Sequence, residues 1–218
     1  MIRLVWADAR FNCGAAEARL YAPMSLRITG GDYRGRRIRS ARAAGLRPTS
    51  DRVRAAIFSI LGPGIVEGAR VLDLFAGTGA QGIEALSRGA VRADFVEADA
   101  RLGRQLREAL AELSLDGRTK VYPMRVEKAW RSLSGPYDLV FADPPYNMDA
   151  WESLMGHLGT GSLMRDGGIA VIEYRHGASV MEEYGGLVET ARRRYGDTAI
   201  SIFRAGAISD KGDLPRQL

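Results

Sequence analysis

The sequence predicts a doubly wound α/β domain, mostly parallel and closed by a C-terminal antiparallel hairpin, with a small basic β-hairpin and helix on its N-terminal side. Three observations carry this expectation. Short apolar runs alternate with stretches of helical spacing from about residue 67 onward. A glycine loop, Gly77-Thr78-Gly79-Ala80-Gln81-Gly82, stands between an apolar run and a helical stretch. Near the end, Gly196-Asp197-Thr198 separates two strand-like runs, as in a hairpin.

Residues 1–24 show weak periodicity and are expected to be either a flexible leader or the product of an upstream start codon, with Met24 then the functional beginning. A second unit covers residues 25–66. Within it, residues 26–38 read as two short strands about the turn Gly30-Gly31-Asp32. Thr49, Ser50 and Asp51 can cap a helix on which Val53, Ile57, Ile60 and Leu61 share a face, and Gly62-Pro63-Gly64 is expected to stop it.

The main domain is expected over residues 67–205. Strands are predicted at 69–75, 93–97, 119–123 and 137–142, and helices at 80–88, 101–113, 127–133 and 150–157. Gly167-Gly168 leads into a strand at 169–174, and strands at 187–195 and 199–204 form the closing hairpin. The tail, 206–218, is polar and expected to be loose.

Composition narrows the class. With 46% apolar and 26% charged residues, the 218-residue chain suits an ordinary soluble domain. No apolar run approaches the roughly 18 to 20 residues that span a bilayer, so no membrane partner is expected. One cysteine, Cys13, excludes an intramolecular disulfide, and His157 and His176 lack metal spacing, so no metal is expected and a reducing cytoplasm is the natural compartment. Ser59 and Ser87 lie in helical patterns without a nucleophile elbow, which disfavours a serine hydrolase.

The net charge of +5 is unevenly spread. Residues 25–55 carry nine arginines (27, 34, 36, 37, 39, 42, 47, 52 and 54) against Asp32 and Asp51, so the rest of the chain is net negative. The segment holds no lysine, and guanidinium is the better fit to phosphate. A polyanion is the expected partner, with Arg34, Arg36, Arg37 and Arg52 as contacts.

The reaction centre is read at Tyr137-Asp138-Leu139-Val140-Phe141-Ala142-Asp143-Pro144-Pro145-Tyr146. The apolar run suits a strand covered on both faces, and Asp143 then lies at its carboxyl end, where open α/β sheets bind ligands. Two prolines remove two N–H donors and leave carbonyls to accept, while Tyr146 offers a flat ring. Acid, carbonyl and ring together receive a planar group bearing an NH2, which describes a nucleobase. The glycine loop alone is ambiguous: it also suits a nicotinamide dinucleotide. Asp73 before it and Glu97 at the end of the next strand favour a nucleoside with a cationic group and no pyrophosphate, Glu97 accepting ribose hydroxyls.

Joined to the glycine loop, Asp143-Pro144-Pro145-Tyr146 resembles the signature of S-adenosylmethionine-dependent methyltransferases that modify exocyclic amines of bases. Arg47-Pro48-Thr49-Ser50-Asp51-Arg52-Val53-Arg54 and Asp73-Leu74-Phe75-Ala76-Gly77-Thr78-Gly79 narrow the resemblance to the bacterial 16S ribosomal RNA guanine-N2 methyltransferase family, over residues 26–204. The resemblance implies a Rossmann-like methyltransferase sheet and S-adenosylmethionine as cofactor. It implies that Asp73, Phe75, Gly77 and Gly79 line the methionyl end, that Glu97 holds the ribose, and that Thr49 and Arg52 belong to a loop closing over cofactor or target. It implies Asp143, Pro144 and Tyr146 as the catalytic set and ribosomal RNA or a small-subunit particle as partner, with a monomer expected. At Arg125-Val126 the chain departs from the family's small polar or acidic residue before alanine, leaving the Val126 backbone as the adenine contact. Methylation of DNA adenine, a dinucleotide-dependent oxidoreductase and a noncatalytic RNA-binding assembly factor remain as alternatives.

Overall fold

The computed structural model describes residues 24–40, 50–144, 151–160 and 163–206. Its elements are β1 (Met24–Arg27), β2 (Arg37–Ser40), α1 (Asp51–Leu61), α2 (Pro63–Val66), β3 (Arg70–Leu74), α3 (Ala80–Ser87), β4 (Arg92–Val96) and α4 (Ala100–Glu112). There follow a 3-10 turn at Asp116–Arg118, β5 (Thr119–Tyr122), α5 (Val126–Ala129), β6 (Tyr137–Ala142), α6 (Trp151–Thr160) and β7 (Met164–Arg175). The chain closes with β8 (Glu183–Tyr184), β9 (Leu187–Tyr195) and β10 (Thr198–Ala205).

One eight-stranded sheet has the order β5-β4-β3-β6-β7-β10-β9-β8. Strands β5 to β7 pair in parallel, and β7, β10, β9 and β8 pair antiparallel. The chain steps outward from β3 to β5 and then returns to place β6 on the other side of β3. That reversal between β3 and β6 is the switch point at which open α/β sheets form a crevice.

The parallel strands are apolar on both faces because helices cover both. On one face Val71, Phe95, Leu139, Phe141, Val171 and Ile200 pack under α1, α3 and α4; on the other Leu72, Val96, Val140, Ala142 and Ile172 meet α6. Helix α1 buries Arg54, Ile57, Phe58 and Leu61, the i, i+3, i+4, i+7 stripe of a surface helix, and Phe58 lies 5.5 Å from Phe141. Ser50 is its N-cap, accepting from Val53 N at 3.3 Å. Asp99 caps α4, accepting from Arg101 N at 2.8 Å and Leu102 N at 3.0 Å.

A two-stranded hairpin is marginal alone. Here Leu26, Ile28 and Ile38 enter the main core, each worth roughly 1.5–3 kcal/mol of burial. The turn also grips the end of α3: Asp32 N donates to Ser87 O at 2.7 Å, Tyr33 N to Ser87 Oγ at 3.0 Å, and Ser87 Oγ to Gly30 O at 2.6 Å. Gly31 needs its absent Cβ here, since any side chain would run into the Ser87 carbonyl.

Gly62 ends α1 as expected, and Pro63 at once starts the short α2, since its fixed φ suits a first helical turn. Three expectations are corrected. The strand expected from residue 169 begins at Met164 and runs through Gly167, whose φ of 76° lies beside the register shift between Tyr137 and Leu139; a bulge absorbs the glycine pair. The helix expected at 127–133 is the single turn Val126–Ala129. Arg54, counted with the phosphate-facing arginines, is 0% exposed. Its Nε donates to Glu84 Oε2 at 3.2 Å and its Nη2 to Asp51 Oδ1 at 2.8 Å and to the Arg27 carbonyl. Glu84, 1% exposed, also accepts from Thr29 N at 2.8 Å, Thr29 Oγ1 at 2.7 Å and Arg88 Nε at 2.8 Å. This buried node ties hairpin, α1 and α3 together.

Candidate active site

The carboxyl edge of the parallel strands collects four acids, one per strand, across β4-β3-β6-β7. Asp73 lies in β3 opposite Phe95 of β4 and Phe141 of β6. Glu97 and Asp143 follow two residues beyond those partners. The pair Ala142 and Ile172 puts Glu173 of β7 alongside Asp143. Alternation along strands gives all four the face that carries Phe95, Phe141 and Val171.

Each acid is held or crowded. Asp73, 3% exposed, accepts from Gly82 N at 2.9 Å in the first turn of α3. Burial pushes its carboxyl up to about 8; the Gly82 hydrogen bond works against that shift, and the charge of Glu97 adds to it. Glu97 accepts from Gly77 N at 2.6 Å and from Asp99 N at 2.7 Å, so it braces the glycine loop and the α4 cap. Each carboxylate oxygen keeps a second lone pair for another donor. Asp143, part-exposed, is also pushed up to about 8, first by burial and then by Glu173 and Asp73.

The loop between β3 and α3 turns sharply. Phe75 adopts φ 58°, which favours glycine and costs a side-chain-bearing residue roughly 1–2 kcal/mol. Gly79, at φ 76°, could not carry a Cβ without striking Leu106, and one at Gly82 would strike the Phe95 ring. The loop therefore lies tight on the sheet edge.

A cationic nucleoside fits this set. Buried carboxyls with raised affinity for protons gain from a positive charge brought beside them. Gln81 Oε1, in the first turn of α3, is buried with no hydrogen-bond partner among the described residues, an acceptor suited to an incoming N–H. A pyrophosphate would face four acids, which speaks against the dinucleotide alternative. Among the described residues no three or more His, Cys, Asp or Glu side chains are placed so that they could hold a metal ion, and no helix is long and apolar enough to cross a membrane.

The structure thus brings Asp73, Phe75, Gly77, Gly79, Glu97, Asp143 and Pro144 to one edge. Val126 opens α5 with its side chain 4% exposed in the second core cluster. Thr49, Pro145 and Tyr146 lie outside the described residues. Arg52 is exposed in the first turn of α1. Arg34, Arg36 and Arg37 are exposed at the opposite rim. Arg36 Nη2 donates to Glu112 O at 3.3 Å, at the far end of the 13-residue α4, so it is about 20 Å from the carboxyl edge. Sequence reading missed Glu173 and Gln81. An acid in the apolar run 169–174 was visible, but its neighbour was not.

A family model described as "Conserved hypothetical protein 95" matches residues 26–204. The chain is 38% identical over 148 residues to "Ribosomal RNA small subunit methyltransferase D" of Escherichia coli (strain K12), covering 68% of this chain and 74% of that one. The solved structure of the Escherichia coli protein yhhF superposes with a TM-score of 0.74 at 32% identity, covering 84% of this chain and 99% of that one. The Thermus thermophilus 16S rRNA N2 G1207 methyltransferase, solved with AdoMet and guanosine, matches with a TM-score of 0.67 at 20% identity, over 85% of this chain and 51% of that one. At that identity the likeness establishes a shared fold.

Proposed function

The chain belongs to the "Conserved hypothetical protein 95" family, and on that premise we propose that it methylates the exocyclic N2 amine of a guanine in small-subunit ribosomal RNA, with S-adenosylmethionine as donor. Its relatives are rRNA methyltransferases and its fold is theirs. The observation that carries the reading is Asp143 beside Asp73 at the switch point, an acceptor for an amine next to a buried acid suited to a cation.

S-adenosylmethionine, when bound, supplies a methyl group on a sulfonium sulfur, so the carbon–sulfur bond breaks as the nitrogen–carbon bond forms. Asp73 and Gln81 would hold its positive end and Glu97 its ribose, and the glycine loop would let backbone approach closely. The guanine amine is a poor nucleophile because its lone pair is delocalised. Asp143 and the Pro144 carbonyl accept its two N–H bonds, turning the lone pair toward the methyl group and stabilising the charge that grows on nitrogen. Nitrogen sheds one proton after transfer, when it is acidic, to Asp143 or to water. Tyr146 stacks on the extruded base, and Phe75, Thr49 and the Val126 backbone complete the cofactor side.

The deciding experiment compares deproteinised small-subunit RNA with small ribosomal particles as substrates, the product nucleoside being identified and mapped by mass. N2-methylguanosine is expected. N6-methyladenosine, or no product with either substrate, would sink the reading.

Binding of S-adenosylmethionine is expected to tighten at least tenfold between about pH 6 and pH 8 and then level off. Asp73 and Asp143 sit near 8 without ligand, and a cation favours their ionised forms, so binding expels protons below that pH. Calorimetry in buffers of different ionisation enthalpy checks both the trend and the proton release. Proton uptake or a flat profile would contradict it.

The arginines of the hairpin contact phosphate far from the chemistry, and Arg52, exposed in the first turn of α1, adds a further phosphate contact. Replacing Arg36 and Arg37 together with alanine is expected to weaken RNA binding and to reduce the slope of log affinity against log salt by roughly 2. The transfer rate at saturating RNA should stay within about twofold of the parent, because Arg36 meets the far end of α4, about 20 Å from the carboxyl edge.

A further inference from the structure

We propose that the corner where β7, β10 and β9 meet beside the crevice is a second RNA contact, in which Arg175 and Arg193 hold phosphates of the nucleotides flanking the target base. This rests on RNA being the substrate, as read above, and it gives the strand a grip close to the chemistry that the remote hairpin does not provide.

Strand β7 runs parallel to β6, so both end at the carboxyl edge. Arg175 follows Glu173, the neighbour of Asp143, by two residues, about 7 Å along the strand. Strand β10 returns from that edge, pairing Thr198 with Arg175 and Ile200 with Glu173. Strand β9 continues the same two rows, with Tyr195 opposite Thr198 and Arg193 opposite Ile200. Residues paired across strands share a face, so Arg175 and Arg193 belong to the face that carries Asp143, two strand spacings, about 10 Å, apart across the sheet.

Both arginines are exposed, and the backbone that carries them is anchored. Arg193 stands between Ala191 and Tyr195, whose side chains pack against the main core. The end of β7 is tied to the closing turn by His176 N, which donates to Asp197 O at 2.7 Å. Arg193 Nη1 donates to Arg192 O at 2.9 Å, which leaves the other N–H groups of its guanidinium for phosphate oxygens. Nearby acids do not cancel this charge. Glu189 and Glu182 answer Arg192, which Glu189 binds through both oxygens at 2.8 Å. That leaves Asp197 in the turn against Arg175, Arg193 and Arg194. Glu173, 7% exposed, and Asp143 lie deeper on the same face. They repel phosphate, so a polyanion that brings a base to Asp143 gains from cations at the rim. Such backbone contacts fix the register of the strand without reading its sequence.

The test compares the parent with the double variant Arg175→Ala, Arg193→Ala on small-subunit RNA. RNA affinity is expected to fall roughly tenfold, and the slope of log affinity against log salt by roughly 1.4, two contacts at about 0.7 each on a single strand. S-adenosylmethionine affinity and the melting temperature should not change. The pair Arg175→Lys, Arg193→Lys should restore most of the affinity, because charge and not packing carries the contact. Position separates this corner from a diffuse attraction. Ethylation of phosphates next to the mapped nucleotide should block binding by the parent and by Arg36→Ala, Arg37→Ala, and should leave the weakened binding of the Arg175, Arg193 double variant unchanged. If that double variant keeps the parent's affinity and salt slope, or if the phosphates it no longer senses lie away from the mapped nucleotide, the contact is overturned and the methylation reading stands. If the parent methylates no RNA, that reading falls, and this contact with it.

Discussion

Replacing Asp143 with alanine is expected to lower methyl transfer by roughly a thousandfold at saturating substrates, while RNA affinity stays within about twofold. The carboxyl is the acceptor nearest the switch point that can hold an amine and answer the charge growing on it. The substitution also removes an acid crowded by Asp73 and Glu173, so the ligand-free protein should melt at a higher temperature than its parent. The milder change Asp143→Asn keeps one acceptor oxygen and is expected to retain a measurable fraction of the rate. Single-turnover kinetics with labelled donor, filter binding of RNA and a thermal melt give the three readouts. An unchanged transfer rate in Asp143→Ala would remove this residue from the centre. A parallel loss of RNA binding would make it a binding group instead.

The second large effect falls on stability. Glu84→Ala is expected to cost about 3–5 kcal/mol and to lower the melting temperature by roughly 10 °C. Glu84 accepts four hydrogen bonds from Thr29, Arg54 and Arg88, and Arg54 is 0% exposed. Without Glu84 a buried guanidinium keeps Asp51 and the Arg27 carbonyl but loses its buried counter-charge. Hydrogen exchange should show the loss first at the amides of residues 26–38, because the Thr29 N–H is one of the donors released. Exchanging both partners for apolar residues, Arg54→Met with Glu84→Leu, should recover much of the loss, as no charge is then left buried. If the single and double variants melt together, the pair is not the tie between hairpin and main sheet.

The two predictions mark different depths of legibility. The strand ending in Asp143 was readable because an apolar run broken by an acid and two prolines is a local pattern, and β6 ends at Ala142 as expected. The glycine loop was readable for the same reason: Gly77 and Gly79 take left-handed conformations that a sharp strand-to-helix turn requires. The strand through Gly167 was misjudged because a bulge depends on the register of a neighbouring strand. Arg54 was misjudged because an arginine in a basic segment is usually solvated. Its burial is made tolerable by a buried glutamate 30 positions later on another helix, together with Asp51 and the Arg27 carbonyl.

By itself, then, the chain determined the alternation of strands and helices, the sharp loop after Asp73, the acid at the end of β6 and the concentration of arginines near its start. Those properties depend on local preference and spacing. Tertiary structure alone decided which acids became neighbours, and it set the basic hairpin at the rim remote from Asp143. Asp73 and Asp143 meet because β6 returns to pair beside β3, and Glu173 joins them because β7 follows in register. Side-by-side placement in a parallel sheet comes from strand order, which no single stretch of sequence encodes, and it is this placement that crowds Asp73 and Asp143 and raises their carboxyls.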